Sequence, residues 1–143
     1  MANSTKNILL LGFGYCAQAL THHLPTTDYT VMVTSRDHNK IKQWHGRPIQ
    51  WINQTQELID AIKNSHYILL SAPPQTDQGD PFYTLVKNNL VTHYQTQWIG
   101  YLSATSVYGD YDGDWVSETS ECRPTTPRAQ RRCSLAKGHG SLG

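Results

Sequence analysis

Residues 7–20 read NILLLGFGYCAQAL. An apolar run over residues 8–11 stops at Gly12, a second glycine stands at position 14, and a stretch of small and polar residues resumes at Tyr15. A short, continuously apolar run fits a strand covered on both faces, as in parallel sheets. Glycines directly after it let the backbone turn sharply and come close to something else. The junction therefore demands strand, tight turn and helix in quick succession. It restricts the chain to folds that bury a central strand.

The rest of the chain repeats the alternation. Residues 15–23 read as a helix closed by Pro25, and residues 29–34 (YTVMVT) as a β-branched second strand. A short helix over 37–44 and a third strand over 48–52 (PIQWI) follow. Residues 56–63 (QELIDAIK) place Leu58, Ile59 and Ile62 on one helical face, with Asn53 or Thr55 as the cap. Residues 66–71 (HYILLS) form a fourth strand. A helix over 82–95, led by Pro81, carries Phe82, Leu85, Val86 and Leu90 on one side, and residues 98–103 (WIGYLS) form a fifth strand. Parallel strands need crossovers, and right-handed crossovers favour a doubly wound sheet. The expectation is an α/β Rossmann-type sheet of about five parallel strands in the order 3-2-1-4-5, sandwiched between helices in three layers.

Composition narrows the partners. The 143 residues suffice for an ordinary domain, with 12 basic and 11 acidic side chains giving a formal charge of +1. Such a balance offers no field to attract nucleic acid or an anionic membrane, so neither is expected as a partner. Beyond the first run, no stretch approaches the ~20 apolar residues that span a bilayer. Lys6, the apolar run and Ala17-Gln18-Ala19 share the composition of a secretory leader, but Gly12 and Gly14 interrupt the run and only one cation precedes it. Cys16, Cys122 and Cys133 are odd in number and far apart, which reads as reduced thiols in a cytoplasmic protein.

Gly12, Gly14 and Ala17 form G-x-G-x-x-A between a strand and a helix, the context in which this spacing binds a dinucleotide. Gly12 permits the turn, Gly14 lets a pyrophosphate reach the backbone, and Ala17 allows close helix–strand packing. Gly12, Phe13, Gly14 and Tyr15 are the expected phosphate loop. At the end of the second strand, VTSRDHNK places Ser35 and Arg36 where an adenosine ribose is read. An arginine there holds a 2′-phosphate, which favours NADP; Asp37 facing the ribose would instead favour NAD. Lys40 adds charge nearby. Ser71, Ala72 and Pro73 follow the fourth strand and are expected to line the nicotinamide side.

With these segments, the exit of the fifth strand, WIGYLSATSVYGDYDGDWVSETSECRPTTPR, resembles the short-chain dehydrogenase/reductase superfamily. It is most similar to the extended or atypical branch of NAD(P)-dependent epimerases and dehydratases, chiefly through S-x-x-x-V-Y-G-D at 103–110, and the likeness covers about residues 6–132. That resemblance implies a Rossmann domain, hydride exchange with nicotinamide, and a small C-terminal substrate domain in chains about twice as long. It also implies a tyrosine base followed four residues on by a lysine, and a Ser or Thr after the fifth strand. Here Ala104 holds that Ser/Thr position, flanked by Ser103 and Thr105, which are the remaining candidate catalytic residues bordering the reaction pocket. No Tyr-x-x-x-Lys follows; Arg128 and Arg132 stand at that spacing, and arginine is no general base. The run P-x-x-x-R-x-x-R-R at 124–132 is similar to some atypical members. The resemblance assigns Tyr108 to loop packing.

Other groups read as structural. Asp110, Asp112 and Asp114 have alternating spacing but lack the glycine and glutamate of a calcium loop, so they read as a solvated turn at Gly113. The seven histidines form no metal pattern, and Cys16 reads as a small packing residue. Residues 133–143, CSLAKGHGSLG, read as an irregular tail after a domain over 1–132, with the C-terminal part of the family fold missing through truncation or a shifted reading frame. The fifth strand then keeps an open apolar edge through which copies of the chain associate. Three functions remain: an NAD(P)-dependent oxidoreductase or epimerase acting on an undetermined small molecule, a dinucleotide-binding or redox-sensing module without turnover, or a non-functional remnant of a longer enzyme.

Overall fold

The computed structural model describes residues 5–36, 43–75, 80–90 and 95–139, with backbone alone for Gln43 and 136–139. The chain divides into two compact units, residues 1–72 with 82–101, and residues 73–81 with 102–143. The division does not fall at the boundary expected after residue 132.

In the first unit, β1 (Lys6–Leu11), α1 (Tyr15–His23), β2 (Tyr29–Thr34), β3 (Gln43–Trp44), β4 (Arg47–Trp51), α2 (Thr55–Lys63), β5 (Tyr67–Leu70), α3 (Tyr83–Leu90) and β6 (Trp98–Tyr101) follow in turn. The sheet order is β3-β4-β2-β1-β5-β6. The five parallel strands therefore take the expected order 3-2-1-4-5. In register, Leu11 faces Thr34 on one side and Leu70 on the other.

β1 is apolar and buried from Ile8 to Leu11 because both its faces are covered there. Leu9 and Leu11 pack with Met32, Ile68, Leu70, Ile62 of α2 and Val86 of α3. Ile8 and Leu10 pack with Val31, Val33, Ile49, Leu69 and Ala17 of α1. Alternating side chains thus sort into two cores, one per face, as a three-layer fold requires. The face expected for α3 packs as a whole, and on α2 Leu58 and Ile62 pack as expected, joined by Ala61 rather than Ile59.

Local details depart from the sequence reading. Gln43–Trp44 is a strand antiparallel to β4, where a helix over 37–44 was expected; residues 37–42, with Asp37 and Lys40, lie outside the described residues. The reason is the turn: His45 (φ 49°) and Gly46 (φ 79°) both adopt the left-handed conformation that closes a two-residue hairpin. The α2 cap is Gln54, without a side-chain cap bond, rather than Asn53 or Thr55. The Asn53 amide instead donates to Glu57 Oε2 at 3.4 Å.

Arg47 carries a role that composition does not reveal. It is buried, and its guanidinium donates to Thr21 O (3.2 Å), Leu24 O, Pro25 O (3.4 Å) and Tyr29 O (2.7 Å). These are the closing carbonyls of α1 and the entry to β2, groups that a helix end leaves unpaired. Burial pulls the Arg47 pKa below the ordinary guanidinium value, and the four carbonyls offset the lost hydration of its charge.

The second unit holds a 3-10 turn (Thr105–Val107) and α4 (Pro127–His139), which pack together. Thr126 Oγ1 accepts the Ala129 amide at 3.2 Å and Pro127 occupies the first helical position, a complete start signal. Ala129, Arg132 and Cys133 are buried. The irregular tail expected from Cys133 is thus corrected: the helix runs to His139, because a strong cap and a buried face outweigh the ~1 kcal/mol cost of Gly138. Residues 140–143 lie outside the described residues.

Replacing Arg47 with methionine leaves four carbonyls without their donor. Urea unfolding is expected to show a loss of about 3 kcal/mol. Lysine should recover only part of it, since one ammonium does not reproduce the planar fork.

Candidate functional site

The turn after β1 is built around one peptide. Gly12 has φ +100°, and a Cβ there would stand 2.8 Å from the Ala72 backbone nitrogen, so no other residue fits without movement. The Gly12 amide donates to Thr34 Oγ1 at 3.0 Å, from the end of β2. Its carbonyl accepts the Ser71 hydroxyl at 2.6 Å, from the end of β5. The Ser71 and Ala72 amides both donate to Leu11 O, at 3.0 and 2.9 Å.

Gly14 behaves differently. It is the N-cap of α1 in extended backbone (φ −86°), and a Cβ there meets nothing within 4 Å. Neither conformation nor packing among the described residues requires glycine at this position. No side chain caps α1, whose first intrahelical bond is Gln18 N to Gly14 O at 2.9 Å. The first-turn amides of α1 thus have no side-chain cap, and the start of a helix, with free N–H groups and the positive end of the dipole, is a place where a phosphate can bind. Ala17 is fully buried against the sheet, as its small size requires.

The other loop residues divide by role. Phe13 does not present its side chain to a ligand: it is buried edge-on against Trp44 and Trp51, with centroids 5.5 and 5.6 Å away. Only its backbone serves the loop. Tyr15 is 88% exposed at the first position of α1. Cys16 is exposed rather than packed, because it lies on the outer side of the helix start. A cavity of about 430 Å³ opens at the carboxyl ends of β2 and β4. Thr34 and Ser35 line it from β2, residues 52–55 from the approach to α2, Leu58 from α2, and Phe82 from ahead of α3. Arg36 follows, exposed. Ser71 spends its hydroxyl on Gly12 O, Ala72 is half-buried, and Pro73, exposed, begins the second unit.

β6 ends at Tyr101, so Ser103, Ala104 and Thr105 of the second unit are not alternating strand residues. Ala104 is the extended residue that caps the 3-10 turn, and Ser103 and Thr105 are both exposed. In V-Y-G-D, Val107 is buried and Gly109 (φ +72°) lies against Arg123 O, where a Cβ would stand 1.9 Å away. The arginine pair separates: Arg132 is buried and donates to Leu102 O at 2.7 Å, while Arg128 is exposed. Asp110 Oδ1 accepts the Asp112 amide at 2.8 Å within a solvated turn. One tyrosine and lysine do meet: Lys6 Nζ donates to Tyr67 OH at 3.0 Å, a contact that raises the lysine pKa. That pair sits at the amino ends of β1 and β5, about 20 Å of strand from Gly12, too far to serve the same site. Among the described residues, no three His, Cys, Asp or Glu side chains gather to hold a metal. No helix among them is long and apolar enough to cross a membrane.

Sequence reasoning missed Thr34, residues 53–55 and Arg47. Thr34 had a usable signal: it pairs in register with Leu11, directly before the turn.

The family model described as NADP oxidoreductase, coenzyme F420-dependent, matches residues 7–78, about half of the chain. The chain belongs to that family. Its matched region contains β1 from Asn7 onward, the glycine turn, Ser71 and the cavity lining except Phe82. Among curated proteins, none matches the sequence. Three solved structures are similar. A functionally unknown conserved protein from Silicibacter pomeroyi superposes with a TM-score of 0.78 at 26% identity, covering 96% of this chain and 49% of its own. Vestitone reductase from alfalfa (Medicago sativa) gives 0.76 at 17%, covering 96% and 52%. UDP-N-acetylglucosamine 4-epimerase from Methanobrevibacter ruminantium gives 0.71 at 18%, covering 98% and 52%. The last two show a shared fold, and the chain spans about half the length of the structures it matches.

The two glycines should separate in experiment. Gly12→Ala is expected to lower thermal unfolding stability by about 2 kcal/mol or more, since it meets both strain and a backbone contact. Gly14→Ala should stay within about 1 kcal/mol of wild type.

Proposed function

We propose that this chain binds a nicotinamide dinucleotide, NADP in preference to NAD, as the nucleotide-binding part of an oxidoreductase of the epimerase/dehydratase type. The observation that carries the reading is Gly14: an open cradle at the uncapped start of α1, beside a cavity at the carboxyl ends of the strands. Ligands of open α/β sheets lie at that end. The residues present fit the group. The Gly14, Tyr15 and Cys16 amides would hold the diphosphate, and the cavity would take the adenosine. Ser35 and Arg36 would read the ribose, with Arg36 pairing to a 2′-phosphate. The nicotinamide would supply hydride chemistry. The family description pairs NADP with coenzyme F420; the matched span carries the dinucleotide features, so we carry NADP to this chain and not F420. The short-chain dehydrogenase/reductase branch is the finer placement we favour, on the sequence motifs and the fold of the solved neighbours. Its setting, with Cys16, Cys122 and Cys133 as free thiols, is the reducing cytoplasm.

A second reading, binding without turnover, is favoured by one observation. Ser103 and Thr105 are exposed beyond the strand end, and Arg132 is committed to Leu102 O. In that reading this chain supplies a sensor or the nucleotide half of an assembly. Association between copies belongs to the edge strand β6, where Trp98 is 50% exposed. Light scattering that returns a monomer at all concentrations would remove it.

Calorimetry with NADP and NAD tests the main reading. Wild type should bind NADP more tightly, and Arg36→Ala should erode that preference by about tenfold. Gly14→Val should abolish uptake of both with the fold intact. Undiminished binding by Gly14→Val would put the ligand elsewhere. Turnover of a carbonyl panel with NADPH distinguishes enzyme from module.

A further inference from the structure

The Gly12 peptide is gripped from both neighbouring strands. Its amide is held by the Thr34 hydroxyl at 3.0 Å and its carbonyl by the Ser71 hydroxyl at 2.6 Å. Thr34 is itself buried, and it also forms part of the wall of the cavity at the ends of β2 and β4. Ser35 and Arg36 follow it directly. One side chain therefore touches the turn that would place the diphosphate and begins the segment that would read the ribose.

We propose that Thr34 is a positioning residue that couples recognition of the adenosine end of the dinucleotide to recognition of its diphosphate, with Ser71 as the opposing support. The inference rests on the dinucleotide reading above. Because the Gly12 amide is already engaged, it is not a phosphate donor. Its bond to Thr34 instead fixes the plane of the turn, and that plane sets where the Gly14 and Tyr15 amides stand. A ligand group that draws residues 35–36 into place also draws Thr34, and through it Gly12. Without the hydroxyl, the amide loses its partner and the turn loses its reference on the β2 side. An unpaired amide of this kind weakens what depends on it more than the loss of a solvated contact does.

Three ligands separate the parts. ADP carries a diphosphate without a 2′-phosphate, adenosine 2′-monophosphate carries the reverse, and NADP carries both. Titrations with Thr34→Val, which keeps the shape and loses the hydroxyl, should show ADP and NADP weakened about tenfold. Adenosine 2′-monophosphate should stay within about twofold of wild type, and Thr34→Ser should restore ADP to about the same margin. The effect of Arg36→Ala on NADP affinity should shrink in the Thr34→Val background, as coupling requires. If Thr34→Val fails to fold, Ser71→Ala carries the same expectation for ADP from the other strand. Equal weakening of all three ligands would mean general damage and overturn the proposal, as would wild-type ADP affinity in both variants. Wild-type protein that binds none of the three would instead overturn the dinucleotide reading, and this inference with it.

Discussion

The site depends on a single peptide unit held between two hydroxyls. Gly12 lies where β1 ends, and its amide and carbonyl are taken by Thr34 and Ser71 from the strands on either side. Buried backbone groups must be paired, and a turn leaving the middle of a parallel sheet has no ladder left to pair with. Side-chain oxygens at the strand ends solve this, and they do so only if β2, β1 and β5 are in register, with Leu11 opposite Thr34 and Leu70. The direction in which α1 departs follows from that constraint.

A second grip holds the same loop from below. Phe13 is edge-on to Trp44 and Trp51, so the residue between the glycines is anchored in the core while its backbone stays in the turn. Trp44 reaches this position because the His45-Gly46 turn folds β3 back onto β4. Arg47, the next residue, ties the end of α1 to the same hairpin. The small antiparallel addition to the sheet thus fastens both ends of α1: its start through Phe13, and its close through Arg47.

Much of this was readable in advance. The apolar run of β1, the strand order and the packed faces of α2 and α3 follow from periodicity, because burial on one or two faces leaves a repeat in the sequence. The glycine spacing marked the turn correctly. What periodicity and spacing leave out is partnership. Phe13, expected in the phosphate loop, turns its side chain into the core, and Ser71, expected on the nicotinamide side, gives its hydroxyl to Gly12 O. The fifth strand, expected to run to Ser103, stops at Tyr101. The close of α4 was read as irregular from its glycines, while Thr126, Pro127 and the buried Cys133 carry the helix on to His139. In each case the deciding contact comes from a residue distant in sequence or from a cap whose strength depends on burial.

The sequence by itself determined the class of fold and the location of the turn, because strand burial and glycine conformation act over a few neighbouring residues. Tertiary structure alone decided which glycine the chain needs for its own geometry and which it leaves open. Gly12 is forced by the backbone of Ala72, 60 residues away, while Gly14 meets nothing. It also decided that the Thr34 hydroxyl holds the Gly12 amide, since a hydroxyl at a strand end acquires a role only when the neighbouring strand brings an unpaired amide to it.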